Sequence, residues 1–197
     1  LVAEGNTYLG RIIIADEARP DSAEAIADLN RQDIKTVMLT GDAEASANYI
    51  AKETGVSAVR AQLLPQDKLS VVQDIRSEYG PTMFVGDGIN DAPVLKRADV
   101  GIAMGGLGSD AAIEAADVVL MDDDPRKIAL AVKIARRTIH IAHENVIFAI
   151  GVKVAVLILA TIGLGTMWMA VFADVGVTVL AVLNAMRSLG KNRLFYR

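Results

Sequence analysis

Three short polar segments stand out by residue type and spacing. Thr40, Gly41 and Asp42 follow the run TVML, Lys68 lies three residues after Pro65 at the start of a helical stretch, and Gly86 to Asp91 (GDGIND) follow TMFV. Glycines let a backbone approach phosphate, hydroxyl and N–H groups hold its oxygens, and carboxylates hold magnesium. Lys68 adds positive charge against a phosphoryl group. One Gly-Asp after a strand means little, because turns are rich in both; three such elements in order point to phosphoryl chemistry. A second chemistry lies further on, where Lys153 and Asp174 are single charges within two long apolar runs. An ionisable residue at membrane depth is costly enough to mark a function. Counted from Gly165, their depths differ by about 4.5 Å at the rise of a helix, which a lysine side chain spans. Gly151 and Gly176 are expected to let the two helices approach closely. Two readings of the pair stay open: a contact that merely holds the helices together, or an ion pathway in which the carboxylate ligates a cation and the ammonium helps release it.

The soluble part that must position the first set, residues 1–143, alternates short β-branched runs with amphipathic or Ala-rich segments, the pattern of an α/β fold with a parallel sheet flanked by helices. Strands are expected at 8–15, 36–39, 82–85, 100–103 and 118–121. Helices are expected at 22–32, 43–54, 66–78, 92–96 and 109–115, and from Arg126 onward, with Pro20, Pro65 and Pro125 at helix starts. Ligands of open α/β sheets bind beyond the carboxyl ends of the strands, which puts the Thr40–Asp42 and Asp87–Asp91 loops on one edge.

The second set requires spanning helices. Asn145 to Leu164 and Met167 to Met186 are twenty-residue runs with one charge each, long enough to cross a bilayer, and only Gly165 and Thr166 separate them. So short a link forces an antiparallel transmembrane hairpin. Lys133, Arg136 and Arg137 precede it and Arg187, Lys191, Arg193 and Arg197 follow it, so the positive-inside rule puts both outer ends in the cytoplasm. The segment from Arg126 to Ile141 is expected to be a stiff stalk.

Composition agrees with this division. The 197 residues are 52% hydrophobic, with mean hydropathy +0.35, and the negative part of the net charge of −4 lies in residues 1–143. An acidic soluble part without a dense basic run argues against nucleic acid as a partner. The absence of cysteine excludes disulfides and thiolate metal sites. The first residues do not read as a signal peptide, and the lack of an initial Met suggests a fragment.

The order TGD, PQDK, GDGINDAP resembles the phosphorylation domain of P-type ATPases, members of the haloacid dehalogenase-like superfamily. LGRIIIADEARPDSAEAI before these motifs and ADVGIAMG after them look alike too. FAIGVKVAVL with its single Lys and MAVFADVGVTVLAVLNAMR with its single Asp resemble the last two helices of the zinc-, cadmium- and lead-exporting branch of heavy-metal ATPases. Copper exporters usually place Tyr, Asn, Met and Ser there. The resemblance implies an ATP-driven exporter of divalent heavy-metal ions working through an aspartyl phosphate, with ATP as substrate and magnesium as cofactor. It implies that Thr40, Gly41 and Asp42 contact the phosphoryl group, that Lys68 neutralises its charge, and that Asp87 coordinates magnesium. Asn90 and Asp91 would position phosphate, metal and water, Asp174 would ligate the transported ion, and Lys153 would be its charge partner. The implied division is the end of a nucleotide-binding domain (1–8), a phosphorylation domain with an incomplete Rossmann-like sheet (9–125), a stalk (126–143), two transmembrane helices (144–164 and 167–187) and a cytoplasmic tail (188–197).

No DKTGT, TGE or Cys-Pro-Cys occurs in the sequence. The chain is therefore expected to be the carboxy-terminal quarter to third of a pump. Alone it should neither autophosphorylate nor transport, and its partners are the rest of the pump, membrane lipid and the transported ion, in the plasma (inner) membrane of a bacterium. Without the first strand of the phosphorylation sheet, the soluble half is also expected to be less stable. Competing readings are a copper or other cation pump, a membrane-tethered phosphatase of the same superfamily, and a non-catalytic module. Other residues are read as structural. His140 and His143 are too few for a metal site, Asp122 to Asp124 mark a helix start, Trp168 and Tyr196 are interface anchors, and Met167, Met169 and Met186 are packing.

Overall fold

A computed structural model describes residues 2–4, 7–10, 18–86, 91–105 and 110–190. The chain packs as two compact units, Leu1–Ala129 and Leu130–Arg197.

In the first unit, β1 (Val2–Glu4) and β2 (Thr7–Gly10) form an antiparallel pair. The strand expected at 8–15 is thus described only to Gly10, and residues 11–17 lie outside the described residues. Next come α1 (Ser22–Asn30), β3 (Val37–Leu39), α2 (Glu44–Thr54), β4 (Ala58–Arg60) and α3 (Pro65–Tyr79). They are followed by β5 (Met83–Gly86), α4 (Ala92–Leu95), β6 (Val100–Met104), α5 (Asp110–Ala115), β7 (Val118–Leu120) and the start of α6 (Arg126–Thr161). The parallel strands fall into two groups, β3 with β4 and β5-β6-β7 in that order. Each crossover carries a helix, as parallel pairing requires.

Strand alternation builds a core on each face of the larger group. On one face Phe84 and Ala103 pack with Val72 of α3, Val94 and Leu95 of α4 and Ala112 of α5. On the other Ile102 and Leu120 pack with Leu29 of α1 and Ile128 and Ala129 of α6. Buried Thr36, at the foot of β3, bonds through Oγ1 to Asn30 Oδ1 (3.2 Å) and lies 3.3 Å from Ser57 Oγ, tying α1, β3 and the approach to β4 together.

β4 was not expected, because three residues, Ala58–Arg60, carry too little alternation to register. Proline does start two helices: Pro65 is the first residue of α3, and Pro125 precedes Arg126. Leu64 N–H donates to the Asp67 carboxylate (3.0 Å), which meets one of the exposed donors at that end. Of the acidic run, Asp124 accepts the Arg126 N–H (3.0 Å) and its guanidinium (2.9 Å), and that side-chain bond holds the Asp124 carboxyl below the usual carboxylate range.

In the second unit α6 runs unbroken to Thr161, and its 36 residues extend about 54 Å. α7 (Met167–Val171) starts at Thr166, whose hydroxyl accepts the Met169 N–H (3.3 Å). α8 (Val177–Ala185) and α9 (Arg187–Gly190) follow. Two helical stretches, Arg126–Thr161 and Met167–Ala185, are long and apolar enough to cross a membrane. The expected plain second helix is interrupted, because Phe172–Gly176 forms a π-helical turn between α7 and α8.

Candidate functional site

Thr40 leaves the carboxyl end of β3, and hydrogen bonds from the β4–α3 connection fix the loop it begins. Its N–H donates to the Arg60 carbonyl, its carbonyl accepts the Leu63 N–H, and the Asp42 carbonyl accepts the Gln62 N–H, each at 3.0 Å. Within the loop Thr40 Oγ1 donates to Asp42 Oδ2 (2.6 Å) and accepts the Asp42 N–H (3.1 Å). A hydroxyl, a carboxylate and the Gly41 backbone are therefore presented together on an exposed turn. Sequence reading missed the part of Gln62 and Leu63, which have no chemical signature and act only through their backbone.

Lys68 projects from the first turns of α3, directly after that connection. Its Nζ lies 2.8 Å from Asp91 Oδ1, and the two side chains are only 21% and 12% exposed. Asp91 stands just before α4, whose Val94 and Leu95 are anchored in the core. Gly86, the last residue of β5, is closely approached: a Cβ there would lie 3.0 Å from Asp91 Cβ and Oδ2 and from the Phe84 ring, so those side chains would have to give. Asp87 and Asn90 lie outside the described residues. Among the described site residues, Thr40 thus bonds Asp42, and Lys68 pairs with Asp91, a contact the sequence reading did not anticipate.

Lys68, Gly86 and Asp91 line one end of a cavity of about 910 Å³. Val37 and Leu39 of β3 and Met83 to Val85 of β5 line it too, with Val72 of α3. Strands β3 and β5 are not hydrogen-bonded to each other, so the parallel sheet is split at this slot.

In the second unit Lys153 Nζ donates to Asp174 Oδ1 at 3.1 Å, the pairing expected from their depths. Asp174 sits within the π-helical turn, and its carbonyl accepts the Thr178 hydroxyl (2.7 Å). Such turns are frequent at functional sites. The sequence carries no marker for this one beyond Gly176. The expected role of the glycines is corrected. A Cβ at Gly151 would meet nothing within 4 Å, so this glycine is not needed for helix approach, and one at Gly176 would first strike the Phe172 ring of its own turn at 2.6 Å. The tight glycine is Gly165 in the connecting turn, where a Cβ would lie 2.6 Å from Ala160 Cα at the end of α6. His140 pairs with Glu144 (3.2 Å) and the His143 ring lies against the Ile139 carbonyl (3.0 Å), so the two imidazoles turn to different neighbours. Met167, Met169, Trp168 and Met186 are exposed on the apolar helices. Tyr196 lies outside the described residues.

Residues 1–99 match the model of the haloacid dehalogenase-like hydrolases. The chain is 56% identical over 190 residues to the cadmium, zinc and cobalt-transporting ATPase of Bacillus subtilis, covering 94% of this chain and 27% of that protein. It is 54% identical to the zinc-transporting ATPase of Synechocystis, covering 94% and 26%. A crystal structure of a zinc-transporting PIB-type ATPase in an E2.Pi state superposes with a TM-score of 0.83 at 42% identity, covering 89% of this chain and 28% of that one. The chain spans about a quarter of the length of the curated relatives it matches. A haloacid dehalogenase-like phosphorylation fold, two apolar helices and similarity across nearly the whole chain converge: the chain belongs to the haloacid dehalogenase-like hydrolase family, where its relatives are heavy-metal-transporting P-type ATPases.

Proposed function

We propose that this chain forms part of an ATP-driven exporter of divalent heavy-metal ions, zinc, cadmium or lead, that works through an aspartyl phosphate. The observation that carries the reading is the Lys153–Asp174 contact, an ion pair joining two apolar helices. A carboxylate there can ligate a cation, and the ammonium beside it competes for the same carboxylate. A copper ion would call for softer donors, so the pair favours a divalent cargo. The membrane is the plasma (inner) membrane of a bacterium, with both outer ends of the hairpin cytoplasmic. The domain division is the one the motifs imply, with phosphorylation domain, stalk and hairpin in succession.

At the phosphoryl site the chain's own groups divide the work. The Gly41 N–H, and the Thr40 hydroxyl once it turns from Asp42, donate to phosphoryl oxygens. Lys68 offsets negative charge at the carboxyl edge of the sheet, and Asp91 holds its ammonium in place. The slot between β3 and β5 receives a further parallel strand, from the remainder of the pump, bringing the phosphorylated aspartate beside Lys68. Phosphoryl transfer needs mainly this positioning and electrostatic stabilisation. The donor set suits magnesium: Asp91 offers a hard oxygen in Oδ2 while Lys68 engages Oδ1. Asp87 would hold the ion with Asp91 and Asn90 nearby, and magnesium when bound supplies further charge neutralisation.

The test is ATPase stimulation of the full-length pump in vesicles by zinc, cadmium, lead and copper, with and without Asp174→Ala. Stimulation by divalent ions that Asp174→Ala abolishes is expected. Stimulation by copper alone, or a near-normal response in the variant, would refute the assignment.

A further inference from the structure

At the end of the hairpin away from the Gly163–Thr166 turn, two asparagines interlock. Asn145 Nδ2 donates to the Ala181 carbonyl (3.1 Å), and Asn145 Oδ1 accepts from Asn184 Nδ2 (2.9 Å). Asn184 Oδ1 accepts from Arg187 Nη1 (2.8 Å), and Arg137 Nη2 donates to the Arg187 carbonyl (2.8 Å). Both amides are therefore engaged through nitrogen and oxygen, the condition under which a polar group is tolerated among apolar helices.

These contacts share one antiparallel register with the rest of the hairpin. Asn184 meets Asn145 and Asp174 meets Lys153. Apolar side chains alone specify such a register poorly, since sliding exchanges one van der Waals contact for another. A slip of one residue turns a helix face by about 100° and a slip of one turn moves it about 5.4 Å. Either breaks the paired amide bonds and changes the approach of Lys153 to Asp174.

We propose that Asn145 and Asn184 are positioning residues, whose amide clasp fixes the register of α6 against α8 and so places the Lys153 ammonium on Asp174. The proposal rests on the reading of Asp174 as a cation ligand with Lys153 as its competitor. Loosening the clasp then weakens the competitor: the ion is held more tightly and released more slowly.

The experiment is a mutant cycle in the full-length pump, reading half-saturating zinc and maximal ATPase rate for wild type, Asn184→Leu, Lys153→Ala and the double variant. Asn184→Leu is expected to lower both quantities by roughly three- to tenfold, the range of interhelical hydrogen bonds in membranes. Asn184→Gln should restore part of the loss, and in the Lys153→Ala background Asn184→Leu should change neither quantity by more than about twofold. A lower maximal rate at unchanged or higher half-saturating zinc, the same factor in both backgrounds, or no change at all would overturn the proposal. Should Asn184→Leu fail to accumulate in membranes, Asn145→Ser is carried through the same cycle. A wild-type pump that zinc does not stimulate would refute the cation-ligand reading first, and the positioning role with it.

Discussion

Replacing Lys68 by methionine keeps most of the aliphatic stem and removes only the ammonium. Asp91 is 8% exposed and would lose the cation 2.8 Å away. Breaking a fully buried pair from one side costs about 3–5 kcal/mol, and surface pairs contribute about 0–1 kcal/mol. Side chains that are 21% and 12% exposed lie between these limits, so a loss of about 2 kcal/mol in folding stability is expected. The chemical loss should be larger in effect. A preorganised charge at a phosphoryl group accounts for about 100- to 1,000-fold in rate, and that fall is expected in metal-stimulated ATPase activity of the full-length pump. The two effects can be separated, because an ion pair replaced by apolar residues on both sides often recovers stability. Lys68→Met with Asp91→Leu should therefore return the melting temperature towards wild type while the ATPase activity stays low. ATPase activity within about threefold of wild type in Lys68→Met, against the 100-fold scale above, would refute the charge-neutralising role.

Two other perturbations follow from the same geometry. Gly86→Ala forces a methyl to within 3.0 Å of the Asp91 carboxylate and the Phe84 ring; overpacking of this kind costs about 1–3 kcal/mol. It should reduce phosphoenzyme levels at saturating ATP, and normal levels would mean that Asp91 need not stay in place. Asp124→Ala removes the acceptor at the start of α6 and should cost about 1 kcal/mol, read as faster hydrogen exchange in the first turn of α6. Because Arg126 lowers the Asp124 pKa in the folded chain, this contribution is present above about pH 4 and fades as pH falls through the lowered value. The difference between variant and wild type should shrink on acidification, and a difference that grew would contradict the assignment.

Much of this was legible in the sequence because the signals are periodic or chemically marked. Alternating β-branched runs located β3, β5, β6 and β7, the prolines at 65 and 125 located the starts of α3 and α6, and the depth count matched Lys153 to Asp174. Features that depend on backbone bonding were not legible. The three-residue β4, the anchoring of Thr40 and Asp42 by Leu63 and Gln62, and the π-helical turn around Asp174 arise from main-chain hydrogen bonds that residue types scarcely constrain. The glycines show the same limit from the other side. Gly151 looked like a packing notch, yet a Cβ there would meet nothing within 4 Å, whereas Gly86, read as letting the backbone approach phosphate, is closely approached by Asp91.

The split sheet bears on how the two formed groupings could act together. Thr40 and Asp42 hang from the β3 edge of the slot, and Asp91, held by Lys68, stands at the end of β5. Parallel strands lie about 4.8 Å apart, so one added strand pairing with those edges of β3 and β5 that have no partner strand among the described residues would fix the distance between them. It would also cover the apolar side chains of Leu39, Val72 and Phe84 that line the slot. Under the proposed function the same strand brings the phosphorylated aspartate, so sheet completion and site assembly become one event. The hydroxyl turn and the lysine would face a common phosphoryl group only when the carrier of that group is seated, which ties phosphoryl chemistry to the folded state of the whole pump rather than to either half.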